Sequence, residues 1–176
     1  KSTGNPREIF AKIPGLNIWE NDGAGIQIGI GGRGLSPNRA ANFNTRQNGY
    51  DISADALGYP ESYYTPPIEA LKSIEIIRGS ASLQYGTQFG GLLNFVFREA
   101  PTHTPFEFTS RLTTGSYGYK AGFNRATGTS GRWSYQFYHQ YKQGDGYRKN
   151  SAFHQHQGFG QIGYAVSEKT HIKAEF

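Results

Sequence analysis

The chain has 176 residues, with 18 Lys and Arg against 13 Asp and Glu, a formal net charge of +5, 24 Gly and no Cys. The length suits one domain or slightly more, the lack of cysteine removes disulfides, zinc-thiolate sites and thiol nucleophiles, and the basic residues are too dispersed for a nucleic-acid footprint. Apolar surface comes largely from 12 Phe, 12 Tyr and 2 Trp rather than leucine runs, which argues against a helical bundle. No apolar run approaches the ~20 residues of a membrane helix, whereas a membrane β-barrel needs only ~9–11 alternating residues per strand and stays open.

All eight prolines lie at or before Pro105, and aromatics rise from 11 in residues 1–104 to 15 in the shorter stretch 105–176. Interior sheet ladders exclude proline and favour aromatics, so the architecture is expected to change between Ala100 and Pro105. At the start, Asn5-Pro6-Arg7-Glu8 reads as a helix start, with a cap, a first-turn proline and a capping-box acid; Ile9, Phe10 and Ile13 give the helix one apolar face. Pro14-Gly15 ends it, residues 16–19 read as a short strand and residues 20–25 as a turn. Ile26, Ile28 and Ile30 alternate with Gln27, Gly29 and Gly31, predicting a strand with one buried and one nearly bare face, closed by Arg33.

Residues 35–64 show no period beyond a brief strand near Tyr50-Asp51-Ile52, and a compact domain rarely carries roughly thirty irregular residues without using them. A short helix is predicted over 66–71, a strand over 73–78, a small-residue turn region over 79–91 and a strand over 92–98.

Beyond Pro105 the pattern is alternating strands. Trp133, Tyr135, Phe137, His139 and Tyr141 make one face almost wholly aromatic, against Ser134, Gln136, Gln140 and Lys142, with Tyr138 the exception. Phe106, Phe108, Ser110 and Leu112 repeat the pattern against Glu107, Thr109, Arg111 and Thr113, as do Tyr117, Tyr119, Ala121 and Phe123 against Gly118, Lys120, Gly122 and Asn124. The strand from Phe153 to Val166 moves its apolar face from Phe153 and Phe159 to Ile162, Tyr164 and Val166, predicting a bulge or glycine kink near Gly158 or Gly160. A fifth strand starts at Thr170. Connections fall at 115–116, 127–131, 143–151 and 167–169, so short turns gather at one end and the long connection at the other, as in outer-membrane barrels. A soluble antiparallel sandwich would share the alternation, with its aromatic face as core.

Five motifs in order, Ile13-Pro14-Gly15, residues 28–34 ending Gly-Arg-Gly, Ile74-Glu75-Ile76-Ile77-Arg78-Gly79, Leu83-Gln84-Tyr85-Gly86 and Gly90-Gly91-Leu92-Leu93-Asn94-Phe95-Val96, resemble the plug domain of TonB-dependent outer-membrane receptors. Gly34-Leu35-Ser36-Pro37-Asn38-Arg39 and Gly58-Tyr59-Pro60-Glu61 look most like the ferric dicitrate receptor branch. The resemblance implies an α+β plug domain, a small mixed sheet with short helices, over residues 1–100. The first antiparallel strands of a transmembrane β-barrel, 22-stranded in the intact family, would follow over 105–176. It implies an outer-membrane transporter that captures an iron chelate, ferric citrate or a siderophore, and releases it with energy delivered through TonB. No TonB box precedes Lys1 and about four and a half strands follow the plug, so the chain is expected to be an internal fragment, with any export signal upstream or removed.

Arg33 and Arg78 each follow a strand and precede glycine; by resemblance they are plug arginines that pair with barrel-wall acids. Asn38, Arg39, Arg46, Gln47, Asn48, Tyr59, Glu61, Tyr63 and Tyr64 populate the irregular region that in the family rises toward the extracellular mouth. A ferric chelate rich in carboxylates suits a planar guanidinium fork with amide and phenol donors around it, so Arg39 and Arg46 lead the expected ligand set of Asn38, Arg39, Arg46, Gln47, Tyr59 and Tyr63. The Gly29-Ile30-Gly31-Gly32-Arg33-Gly34 match to a dinucleotide fingerprint runs into the turn Leu35-Ser36-Pro37-Asn38 rather than a helix, which removes the phosphate site. His154 and His156 share a strand face without a third ligand nearby and read as residues lining a polar lumen. No nucleophile elbow or metalloprotease motif appears, so no enzyme and no cofactor is expected. The other reading is a glycan- or surface-binding β-rich module of a secreted protein, in which aromatics would cluster on loops or one exposed face; here they recur on one face of successive strands.

Overall fold

The computed structural model describes residues 9–10, 13–20, 25–32, 34–54, 63–86 and 88–176, with backbone alone at 39, 80 and 83. The predicted helix start at 5–8, turn residues 21–24, Arg33, Tyr59 and Glu61 lie outside the described residues. The chain divides into two units, Lys1–Arg98 and Glu99–Phe176.

In the first unit β1 (Leu16–Glu20) and β2 (Ile28–Gly32) form an antiparallel pair, and β3 (Phe43–Gln47), β4 (Tyr50–Asp51), β5 (Leu71–Ile77) and β6 (Gly91–Phe97) form a mixed sheet of order β4-β3-β6-β5. The β3–β6 pair is parallel, while β3–β4 and β5–β6 are antiparallel. Phe10, Ile28, Ile30, Phe43, Leu92, Leu93, Phe95 and Phe97 are at most 3% exposed, and the Phe10 ring meets Phe95 edge-on at 6.2 Å. Each such side chain withdrawn from water stabilises the fold by about 1.5–3 kcal/mol.

Three expectations change here. The glycine face of β2 is buried rather than bare, because a Cβ at Gly31 would strike the Leu35 carbonyl and Pro37; on the isoleucine face, one at Gly32 would meet the Phe43 ring at 3.1 Å. The glycines let backbone and ring approach the strand. The short helix is only the 3-10 turn Ile68–Ala70, since Pro67 is extended and Leu71 already begins β5. Within the supposedly patternless stretch, β3 is an interior strand of the sheet. Its buried positions include Asn44, Thr45 and Gln47, so it lacks an apolar alternation. The Asn48-Gly49 pair, both at positive φ, closes a two-residue hairpin from β3 to β4. The Asn48 amide donates to the Phe95 carbonyl at 3.0 Å and its Oδ1 accepts from the Phe97 amide at 2.9 Å, tying the turn to β6.

The second unit is an antiparallel meander of β7 (Glu107–Thr114), β8 (Lys120–Ser130), β9 (Trp133–Gly144), β10 (Phe153–Ala165) and β11 (His171–Glu175), in sequence order across the sheet. In β9 the polar side chains Gln136, Gln140 and Lys142 are buried, while Trp133 and Phe137 are exposed. Register carries that division across the sheet. Phe108, Ala126, Phe137 and Gly160 form one row of the aromatic face, and Thr127, Gln136 and Gln161 one row of the polar face.

This register corrects four expectations. Phe123 pairs with Gln140 and lies on the polar face, so the faces of β8 are opposite to those predicted. Register between β9 and β10 runs unbroken from Phe153 to Tyr164, with no bulge. The apparent shift of apolar face has another cause: Phe123, Tyr138 and Phe159 stack in a row on the polar face, with ring centroids 5.6 Å apart at each step. His154 and His156 pair with Gln143 and Tyr141, which puts them on the aromatic face instead of a polar lumen. The predicted connection at 127–131 shrinks to Gly131-Arg132, because β8 continues to Ser130.

Candidate functional site

The expected ligand residues with the richest surroundings lie on β3 and its hairpin. Arg46 projects from β3 on the same side as Asn44, and its guanidinium is held by three acceptors. Nε donates to Asn44 Oδ1 at 2.7 Å, Nη1 to the Gly49 carbonyl at 2.7 Å and Nη2 to the Tyr85 carbonyl at 2.8 Å. The Arg46 Cζ also stands 5.3 Å from the centre of the Tyr85 ring, within cation–π range. Asn44 Nδ2 in turn donates to Asp51 Oδ2 at 2.9 Å and to Gln88 Oε1 at 3.4 Å.

Asp51 completes the network by accepting from the Ser53 amide at 2.8 Å and the Ser53 hydroxyl at 2.6 Å. Partial burial pushes its carboxyl pKa up, but the Ser53 and Asn44 hydrogen bonds and the Arg46 charge together outweigh that and hold it below the ordinary aspartate value. The arrangement is a charged clip that fastens the hairpin tip to the end of the Gly79–Gln84 3-10 turn. It presents a fixed cation beside a fixed anion, and three of the five guanidinium N–H groups of Arg46 are engaged in it.

The other expected residues are distributed around this clip. Gln47 donates through Nε2 to the Tyr50 hydroxyl, while its Oε1 is buried and accepts nothing among the described residues. Asn38 is exposed, with its amide on Ser36 Oγ at 3.3 Å, and Tyr63 is 49% exposed. The side chain of Arg39, like all of Tyr59, lies outside the described residues. Arg78 donates through Nη2 to the Pro14 carbonyl at 2.8 Å, closing the start of β1 onto the end of β5. The residues sequence reasoning passed over are Asn44, Asp51, Tyr85 and Gln88. The Asn48-Gly49 dipeptide was the available signal, because it marks the hairpin that brings Asp51 opposite Arg46.

On the second unit, Arg125 Nη2 donates to the Glu99 carbonyl and to Gln136 Oε1, each at 3.1 Å. Gln136 Nε2 continues to Gln161 Oε1 at 3.5 Å, and Gln161 Nε2 to Glu175 Oε1 at 2.6 Å. This polar ladder crosses β8 to β11 and satisfies groups that would be costly to bury unpaired. Among the described residues no group of three or more His, Cys, Asp or Glu could hold a metal ion, and no helix is long and apolar enough to cross a membrane, which says nothing of a β-barrel.

The chain resembles several solved receptors and transporters. A mutant form of the ferric enterobactin receptor PfeA from Pseudomonas aeruginosa matches with a TM-score of 0.74 at 17% identity, over 99% of this chain and 30% of that one. The copper transporter OprC matches at 0.74 and 20%, over 94% of this chain and 27% of its own. The siderophore receptor PirA from Acinetobacter baumannii matches at 0.70 and 18%, over 99% and 29%. This chain therefore spans about 30% of the length of these structures, and at such identities the likeness concerns the fold. The family model described as TonB-dependent Receptor Plug Domain matches residues 1–92, more than half of the sequence, and the chain belongs to the TonB-dependent receptor family.

Proposed function

We propose that this chain is the plug, residues 1–100, and the first barrel strands, residues 105–176, of an outer-membrane transporter that captures an anionic iron chelate and imports it with energy delivered through TonB. The observation that carries the membrane part is the pair of faces on the second unit, aromatic and exposed against polar and buried, which is the arrangement of a barrel wall between lipid and an aqueous interior. An enterobactin receptor and a siderophore receptor among the similar structures favour an iron chelate, and the motifs around Asn38 and Tyr59 favour ferric citrate among such chelates. The copper transporter among them makes another metal the competing cargo.

In this reading Arg39 and Arg46 supply guanidinium forks for the carboxylates, Asn38, Gln47, Tyr59 and Tyr63 supplement them, and Arg33 and Arg78 secure the plug against barrel-wall acids. Tight capture cannot by itself drive release, so the energy must come from outside the complex. The test is uptake of radioactive iron by cells carrying the full-length gene, supplied as ferric citrate, as a catecholate siderophore or as a hydroxamate siderophore, with and without TonB. TonB-dependent uptake of ferric citrate above the others is expected. Outer-membrane insertion without TonB-dependent uptake of any ferric chelate would overturn the reading.

A further inference from the structure

The aromatic face of the meander changes chemistry along its strands. Toward the Gly131-Arg132 turn its rows are apolar: Trp133 beside Tyr164 and Ile172, Tyr135 beside Ile162 and Ala174, then Phe108, Ala126, Phe137 and Gly160. The next row is Ser110, Asn124, His139 and Gly158, and beyond it stand Tyr141 with His156 and Gln143 with His154. Two histidines of this upper half meet. His139 Nε2 and His156 Nδ1 are 3.0 Å apart, the rings lie 5.2 Å between centroids at 32°, and Tyr141 packs on His156 at 4.7 Å. Both rings are exposed; His139 stands on a strand paired at that point with β8 and β10, and His156 on a strand held there by β9.

We propose that His139 and His156 form a surface binding site for a square-planar or tetragonal divalent ion of the Cu²⁺ or Ni²⁺ type. Imidazole is a good ligand for both. At metal–nitrogen distances of about 2.0–2.1 Å, two ligands at a tetrahedral angle stand about 3.3–3.4 Å apart, and two adjacent ligands of a square plane about 2.9 Å apart. The observed 3.0 Å lies near the second value. The facing nitrogens share one hydrogen bond in the free protein, so binding shifts that proton to the far nitrogen of the same ring and leaves two lone pairs for the metal. Among the described residues no third ligand of the His, Cys, Asp or Glu kind completes the site, so the remaining positions are open to ligands from outside the chain. His154 lies two residues along the same face and serves as a control; it is the His139–His156 juxtaposition across strands that makes the site.

The test uses the full-length protein in detergent, titrated with Cu²⁺ and followed by electron paramagnetic resonance. One equivalent with a two-nitrogen signature is expected. H139Q or H156Q should each weaken binding at least tenfold and reduce the signature to one nitrogen, while H154Q stays within twofold of the parent. In a second measurement that needs no variant, Cu²⁺ should protect His139 and His156 together from diethyl pyrocarbonate. Unchanged affinity and spectrum in the H139Q/H156Q double variant, or absence of joint protection, would overturn the proposal.

Discussion

Removing the Arg46 guanidinium should loosen the hairpin between β3 and β4. Arg46→Ala deletes the bonds to Asn44 Oδ1 and to the carbonyls of Gly49 and Tyr85. A hydrogen bond from a charged donor contributes about 1.5–3 kcal/mol when shielded, and a bond whose acceptor water can reach contributes about 0.5–1.5 kcal/mol. The two carbonyl bonds are of the exposed kind and the Asn44 bond is partly buried, so the sum is about 2.5–6 kcal/mol. At about 1.4 kcal/mol per tenfold, local opening should become roughly 60 to 20,000 times more frequent. Native-state hydrogen exchange on the full-length protein reads this directly at the amides of Asn48, Gly49 and Ile52, which bond to Phe95, Asn94 and Thr45. Arg46→Lys keeps a charge near Asp51, but a compact ammonium cannot span three diverging acceptors, so more than half of the loss should remain. If those amides in Arg46→Ala keep their protection within twofold of the parent, the clip contributes nothing and the reasoning fails.

Three further outcomes follow from the same structure. Gly31→Ala forces a methyl group against the Leu35 carbonyl and Pro37, backbone atoms that cannot swing aside, and should cost about 1–3 kcal/mol in the first unit, read from denaturant-induced loss of exchange protection in β1 and β2. Asp51 has a folded pKa below its unfolded one, so its contribution is present above about pH 4 and fades as pH falls through the lower folded value. Asp51→Asn should therefore flatten the acid limb of hairpin protection, and an unchanged acid limb would remove Asp51 from that role. Phe159→Ala takes the end ring from the Phe123–Tyr138–Phe159 row and should cost about 3–5 kcal/mol, seen as a lowered melting temperature of the intact protein; a shift indistinguishable from that of an exposed control such as Phe108→Ala would refute a packed row.

The strands of the second unit are legible in sequence because polar and apolar residues alternate over lengths of 8 to 13 residues in β7 to β10. Their faces are less so. Phe123 and Phe159 look like markers of the apolar face, but each sits on the polar one, held by the ring of Tyr138 across the strand pairs. A single sequence shows phase within a strand, whereas the assignment of a face depends on which neighbours the rings meet. The same limit hides β3. Beside Phe43 its buried positions are filled by an amide, a hydroxyl and a second amide, of which Asn44 is held by the Asp51 and Gln88 side chains. Arg46 is recognisable as a residue suited to anions. Two of its three acceptors are backbone oxygens, one of them 39 positions away, and a carbonyl is the same in every residue.

The two sheets also differ in how far the chain must travel to close them. Each hairpin of the meander joins neighbours in sequence, at its tightest across only Gly131 and Arg132. The parallel β3–β6 ladder instead pairs Phe43 with Gly91, about 48 residues later, before β5 and β6 can complete a sheet with it. Closing a loop of that length rather than a two-residue turn adds about 3 kcal/mol of chain entropy to the barrier. The meander can therefore grow hairpin by hairpin while the first unit waits on one long-range encounter, so its sheet should assemble on the slower timescale.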